Sequence, residues 1–439
     1  MAKLVEVYRN DKQKLAQRQL PLVVDENLTM VMDMNSMGIV YDNPSVRGKE
    51  LDKFLDMYNT LTLQDVRQAF QVNCKELLSI LSQMIPCVGC RRSVERLFYQ
   101  LVKSGHPALN PLVINSDGIL TVQEDRFGWP HLLCTLLHGH SARLNQLIES
   151  QLRSKKSRRC ILHSLDSQRV RAPWKEVWDA MRPHCREEVL VIDAGALMNT
   201  LESYLHRHRF CSDCRTKVLR AYWLLVEEPE PSREKGYIPA LYAGIKRCLP
   251  DKHIHLPSNT DYISALVARV QPDIMGSGGE RHAKTLEIAQ GEVITCLGLC
   301  VYERLQRIQL RLKEEETTCQ VLAAVAVEAL SRKFQTAVDL KRGATKLDLL
   351  FKELAKEELI KQQRKEQKKL KRKKRKERKA ESKINDLEEG SSSDEEGFIP
   401  AEDVKEFQSK VDITKKREEL RQTLRMRFAQ LCRANKAKS

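Results

Sequence analysis

The stretch from Arg281 to Gly343, RHAKTLEIAQGEVITCLGLCVYERLQRIQLRLKEEETTCQVLAAVAVEALSRKFQTAVDLKRG, decides the fold class. Its apolar residues recur at helical spacing past Leu330, Gly343 is the only clear interruption, and a further helical pattern begins at Thr345. A long helical hairpin over residues 281–360 is therefore expected. Within it, Val321 to Val327 is the most apolar run of the chain, but it meets Glu328 well short of the roughly 18 apolar residues that span a bilayer. No membrane span is expected. Cys296 and Cys300 lie one turn apart on an apolar face and read as core. The preceding Gly276-Ser-Gly-Gly279 lacks both the strand and the Lys-Ser/Thr of a phosphate loop, so it reads as a linker opening a helix at Arg281.

Toward the N-terminus the pattern stays helical, at about residues 63–81, 92–103, 130–152, 173–182, 196–208, 214–227 and 260–269. Trp174 and Trp178 share a helical face and read as core. Two stretches alternate instead. LPLVV and LTMVM flank the turn-prone Asp25-Glu26-Asn27, and PLVINSDGILTVQED carries a hairpin tip at Ser116-Asp117-Gly118. The expected fold is mainly α: a helical, zinc-stabilised body over 1–280 with small β elements near the N-terminus, then the long C-terminal helices over 281–360. A charged, partly disordered tail follows over 361–439, with a basic helix, an acidic serine linker and a terminal helix from about Glu402. The first residues lack the apolar segment of a secretory signal, so an intracellular protein is expected. Of the formal net charge of +16, about +11 sits in Lys361–Lys379, with about thirteen basic and two acidic residues.

Thirteen cysteines inside a cell point to core thiols or metal ligands rather than disulfides. Spacing separates these. Two Cys-x-x-Cys pairs, Cys87/Cys90 and Cys211/Cys214, join Cys160-x-x-His163 and a group of Cys248, His253 and His255. Zinc takes thiolate and imidazole tetrahedrally, and two intervening residues let one short turn aim both side chains at one ion. Two ions are expected, one at Cys87, Cys90, Cys160 and His163, the other at Cys211, Cys214, Cys248 and one of His253 or His255. His208 and His282 compete for that last place. Joining half-sites about 70 residues apart costs roughly 4 kcal/mol beyond a constant, against on the order of 10–16 kcal/mol from structural zinc. Closure depends only logarithmically on length, so spacing leaves the pairing open.

Sharper readings fail on particular residues. A zinc deaminase needs a His-x-Glu upstream of Pro86-Cys87-Val-Gly-Cys90, and no histidine precedes His106. Neither pair is followed by the two histidines of a C₂H₂ finger. No βαβ pattern supports a redox pair, and no Gly-x-Ser-x-Gly, kinase signature or His-Glu-x-x-His is present. A ubiquitin-ligase module of RING type interleaves its ligands more compactly and stands as an alternative.

Several strings carry a resemblance. Leu28-Thr-Met-Val-Met32, Pro86-Cys-Val-Gly-Cys-Arg-Arg-Ser-Val-Glu-Arg-Leu-Phe98, Cys160 with His163-Ser-Leu-Asp166, His208-Arg-Phe-Cys211 with Cys214, Lys217-Val-Leu-Arg-Ala-Tyr222, His253-Ile-His255 and Glu280-Arg-His-Ala-Lys-Thr285 resemble the gametogenetin-binding protein 2 family over about residues 1–360. Family members carry cysteines where Leu256-Pro257 follow His255 here, and a longer, cysteine-rich tail. The resemblance implies a binding and regulatory role with gametogenetin-like protein partners, connected with germ-cell differentiation, growth and signalling, in cytoplasm, vesicles and nucleus. The expected function is a non-enzymatic, zinc-binding adaptor. The alternatives are a nuclear regulator holding nucleic acid non-specifically through 361–379, and the ligase module. The same basic run fits a nuclear import receptor, and Ser391, Ser392 and Ser393 before Asp394-Glu-Glu resemble an acidophilic-kinase site.

Overall fold

The computed structural model describes residues 1–343 except 10–12, 43, 151–159, 164–172 and 277–278, together with 358–359, 362 and 365–366. The helix expected from Thr345, the basic run, the serine linker and the terminal helix lie outside the described residues apart from these few positions. The chain opens with β1 (Lys3–Val7), β2 (Gln19–Val23) and β3 (Thr29–Asp33), which form an antiparallel sheet in the order β1-β3-β2. Leu20, Leu22, Met30 and Met32 turn inward, and Asp25 caps the intervening turn by accepting the Asn27 N–H at 3.1 Å.

The helical stretch expected over 63–81 is two helices. After α1 (Lys49–Tyr58) come α2 (Leu63–Ala69) and α3 (Cys74–Met84), divided by the short strand β4 (Val72–Asn73). Each has its own capping box, Thr62 with Asp65 and Asn73 with Glu76, and a cap inside an apolar pattern starts a new helix whatever the periodicity says. Then follow α4 (Val88–Ser104), β5 (Leu112–Ile114) and β6 (Ile119–Val122), with Gly118 at φ 78° making the hairpin tip. β4 joins them in the order β4-β6-β5. Gly139 at φ 65° divides the expected 130–152 helix into α5 (Pro130–Leu137) and α6 (His140–Ser150).

Further along come α7 (Trp174–Ala180), α8 (Pro183–Val189), β7 (Val191–Asp193), α9 (Ala194–Arg207), α10 (Ser212–Val226), β8 (Lys246–Cys248), β9 (His253–His255), α11 (Thr260–Ile274) and α12 (Leu286–Lys341). A third antiparallel sheet, β7-β9-β8, has no counterpart in the sequence reading because its strands are only three residues long.

The organising element is α12. Its 56 residues rise about 84 Å at 1.5 Å per residue, and it packs against every helix from α2 to α11. This explains the run at Val321–Val327: seven successive residues are buried because neighbours surround the helix on all sides. No helix among the described residues is long and apolar enough to cross a membrane. The helix starts at Leu286 rather than Arg281, since Thr285 accepts the Ile288 N–H and caps it there; it ends at Lys341, with Gly343 at φ 84° just beyond. Gly298 is where α11 crosses: a Cβ there would stand 2.9 Å from the Leu266 carbonyl oxygen and 2.7 Å from Val270 Cγ1. Among the described residues the core of the first 280 residues closes on α12.

One ion pair in this core gives a pH signature. His140 at the start of α6 meets Glu328 of α12 at 2.8 Å, and Arg332 holds the other carboxylate oxygen at 2.7 Å. Burial pushes Glu328 up, but the hydrogen bonds from His140 and Arg332 outweigh it and hold the carboxyl down at about 2. Burial likewise lowers His140, while Glu328 and the Leu137 carbonyl more than reverse this and raise it. The Glu328 contribution is present above the ordinary carboxylate range and is lost as pH falls through about 2. The His140 contribution is complete below the ordinary imidazole value and is lost as pH rises through its raised folded value. The pair thus contributes most at about pH 4.5–6.5. His140→Ala is expected to cost about 1.5–3 kcal/mol at pH 5.5 and less at pH 8.5, read by urea unfolding at both values. An equal cost at both would contradict the assignment.

Candidate metal centres

Pro86 ends α3's exit and Cys87 occupies the N-cap position of α4, so Cys90 falls in that helix's first turn beside it. The short turn at 160–163 lies against them. Cys87, Cys90 and Cys160 are buried and His163 is half-buried, with all four donor atoms within 4.8 Å of one another. The sulfur atoms of Cys87 and Cys160 are 3.8 Å apart, and those of Cys90 and Cys160 3.6 Å. His163 Nδ1 stands 3.1, 3.5 and 3.9 Å from the sulfurs of Cys160, Cys90 and Cys87. Disulfides need about 2.05 Å. Four bonds to one zinc at its usual lengths put sulfurs about 3.8 Å and sulfur and nitrogen about 3.5 Å apart, which is this geometry.

The surroundings fit the same use. Gly89 lets the imidazole lie against α4, since a Cβ there would come 2.3 Å from His163 Cγ. The far ring nitrogen, Nε2, faces Ser93 Oγ at 3.1 Å and Glu314 of α12 at 3.5 Å, and Ser93 donates to Glu314 at 3.2 Å. A proton held on Nε2 leaves the Nδ1 lone pair for a cation. Hydrogen bonding from Cys90 outweighs burial and, with His163 adding to it, holds Cys160 down at about 4. The Cys160 sulfur and then Glu314 raise His163 to about 10. Hydrogen bonding from His163 holds Glu314 below its usual range against burial. The cluster therefore favours a thiolate at its centre even before a dication is considered. Glu314 lies over 200 residues from Ser93 and has no signature in the sequence; Gly89 and Ser93 were in plain sight within the Cys87–Phe98 string.

Cys211 and Cys214 do not join Cys248, His253 or His255. Cys211 caps α10 and Cys214 sits buried in its first turn, and the third donor grouped with them is His282, the competitor considered above. The segment before α12 brings it there. Arg281 N–H bonds the His208 carbonyl at 3.2 Å, the Ala283 N–H donates to Cys214 Sγ, and Lys217 Nζ reaches the Lys284 carbonyl at 2.9 Å. The Cys214 N–H, and next its thiol, hold Cys211 below its usual value. Cys211 and His282 are exposed, and among the described residues no fourth donor completes the group.

His208, the other competitor, is buried and otherwise engaged. Its Nε2 lies 2.9 Å from Asp273, off the N–H axis, and its Nδ1 3.1 Å from the Gly279 carbonyl. Arg281 bridges Asp273 at 3.1 Å and Glu292 at 3.3 Å, and bonds Tyr204. This network fixes the segment that carries His282. Cys248 and His253 form a third group with Asp251, beside His255, on the β8–β9 hairpin. Pairing of β9 with β7 keeps them on that sheet and apart from the Cys211 turn.

The comparisons with known proteins follow the same residues. The profile described as "Gametogenetin-binding protein 2" matches residues 63–364, more than half of the chain. The chain belongs to the gametogenetin-binding protein 2 family. A Drosophila melanogaster relative, "Gametogenetin-binding protein 2-like", is 46% identical over 372 residues, covering 82% of this chain and 55% of its own length. The Homo sapiens and Mus musculus proteins named "Gametogenetin-binding protein 2" are 45% and 44% identical over 363 residues, covering 82% of this chain and 52% of their own. The chain spans about half the length of these curated relatives. No solved structure matches it. The matched region of the family takes in all three donor groups and the whole of α12.

Proposed function

We propose that this chain is a zinc-stapled, non-enzymatic adaptor that presents its helical body and its tail to protein partners of the gametogenetin type. The observation that carries this is the buried Cys87, Cys90, Cys160 and His163 cluster, spaced for a tetrahedral ion and tied through Glu314 to the helix that organises the body. A site closed by four protein donors leaves no coordination position for a substrate, which is the character of structural rather than catalytic zinc. A second ion belongs at Cys211, Cys214 and His282, its outward position open to water or to a donor from a partner. The partner class rests on the relatives' name, which says that they bind gametogenetin.

The same reading places the protein in cytoplasm, with vesicle association, and nucleus. The basic run at 361–379 serves an import receptor, and non-specific nucleic-acid binding through it is the runner-up. The test uses full-length protein. Native material is expected to capture a gametogenetin polypeptide in a pull-down, to lose it after chelation, and to remain silent in a reconstituted autoubiquitination assay. Capture that survives complete removal of metal, or ligase activity, would overturn the reading.

A further inference from the structure

The β8–β9 hairpin carries donors that neither of the two centres above uses. Cys248 and His253 are direct cross-strand partners, and alternation along β9 puts His253 and His255 on one face while Ile254 between them is fully buried. The connecting turn reverses at Lys252, which adopts φ 51°, and this brings Asp251 back over the strand ends. The Asp251 carboxylate oxygen lies 3.0 Å from Cys248 Sγ, and both lie within 4.8 Å of a ring nitrogen of His253. His255 lies beside the set, its Nε2 2.9 Å from His253 Nε2 with the rings inclined at 74°. A thiolate, a carboxylate and an imidazole thus converge at the end of the hairpin.

We propose that this hairpin is a self-contained divalent transition-metal site, held by Cys248 Sγ, the Asp251 carboxylate and a ring nitrogen of His253, with a fourth position left to water. The donor set is one soft sulfur, one hard oxygen and one borderline nitrogen. It suits zinc or cobalt(II) in tetrahedral array and discriminates against calcium and magnesium, which want oxygen alone. All three donors fall within six residues, so the loop closed is short and the site needs no distant partner. Backbone pairing of β9 with both β7 and β8 holds the strand in place before any ion binds. Asp251 and His255 are exposed, and His255 also lines an open cleft of about 390 Å³ with Glu6, His184 and Glu187, which gives an ion a path in and out. The hairpin ion thus exchanges with solvent, unlike one enclosed by Cys87, Cys90, Cys160 and His163.

The experiment is a cobalt(II) titration of full-length protein after a brief wash with a weak chelator, comparing wild type with His253→Asn and Asp251→Asn. Wild type is expected to take up one more rapidly exchanging equivalent per chain than His253→Asn. That equivalent should show the visible bands of tetrahedral cobalt and charge transfer from a single thiolate. Asp251→Asn should weaken it at least tenfold. Neither substitution should change thermal unfolding of the washed protein. Equal uptake and equal spectra in wild type and His253→Asn would overturn the proposal. Metal that survives the wash reports the buried cluster separately. Its absence would count against that centre and leave the difference between wild type and His253→Asn to judge the hairpin.

Discussion

Cys90→Ser is expected to release one tightly held ion per chain and to abolish cooperative folding of the body built around α12. The magnitude follows from comparing two figures. Structural zinc contributes on the order of 10 kcal/mol to a small domain, and the whole net stability of a domain is about 5–15 kcal/mol. Removing one of four donors from a buried cluster therefore threatens most of the margin, besides leaving two thiolates and an imidazole with no shared cation. Cys90 also lines the hydrophobic core at 3% exposure, so the serine hydroxyl adds an unpartnered buried polar group. Metal analysis with calorimetric melting of the full chain reads both effects. Cys74→Ser, at a half-buried position outside the donor groups, serves as the control. Glu314→Gln should act more gently: it keeps all four donors, disturbs only the partner of His163 Nε2, and should weaken metal binding about 10–100-fold. Wild type free of metal, or Cys90→Ser melting with wild type, would refute the assignment.

The second large effect is expected from Asp273→Ala. Its carboxylate is buried between His208 and Arg281 and receives two hydrogen bonds from the guanidinium at 3.1 and 3.2 Å. Deleting it leaves the Arg281 charge facing a cavity with Glu292 as its remaining anion, and removal of one partner of such a buried pair costs about 3–5 kcal/mol. Because Arg281 adjoins His282, metal binding at Cys211 and Cys214 should weaken along with stability. Urea unfolding reads the first effect and cobalt(II) titration the second. Asp273→Asn, which keeps the volume and one acceptor oxygen, should fall between wild type and alanine. An alanine variant as stable as wild type would show that the network contributes nothing net.

How much of this could be read from the chain alone depended on whether the deciding contact was local. The helices, the hairpin at Ser116-Asp117-Gly118 and the stop at Gly343 came through because periodicity and positive-φ turns are properties of neighbouring residues. Two expected helices were each divided, at Asn73 and Gly139, because apolar spacing outweighed short-range cap and turn signals in the reading. The donor residues were legible as Cys-x-x-Cys and Cys-x-x-His pairs, and the structure gathers Cys87 and Cys90 with Cys160 and His163. The grouping of Cys211 and Cys214 was not legible. Loop closure is nearly indifferent to length, so His282 displaced Cys248 and His253 through a packing decision made by Asp273, Arg281 and Tyr204. Asp251 stayed hidden because a lone carboxylate on a turn has many ordinary uses.

The position of α12 along the chain has a consequence for synthesis. Translation runs at about 5–20 residues per second, so an emerging chain waits roughly 15–70 s from its first residue until Lys341 is made. During that time the apolar faces of α2 to α11 have been produced, but the helix they all pack against has not. Nascent chains should therefore depend on holding chaperones until late. Premature stops anywhere before residue 341 should yield aggregated or degraded fragments rather than soluble subdomains.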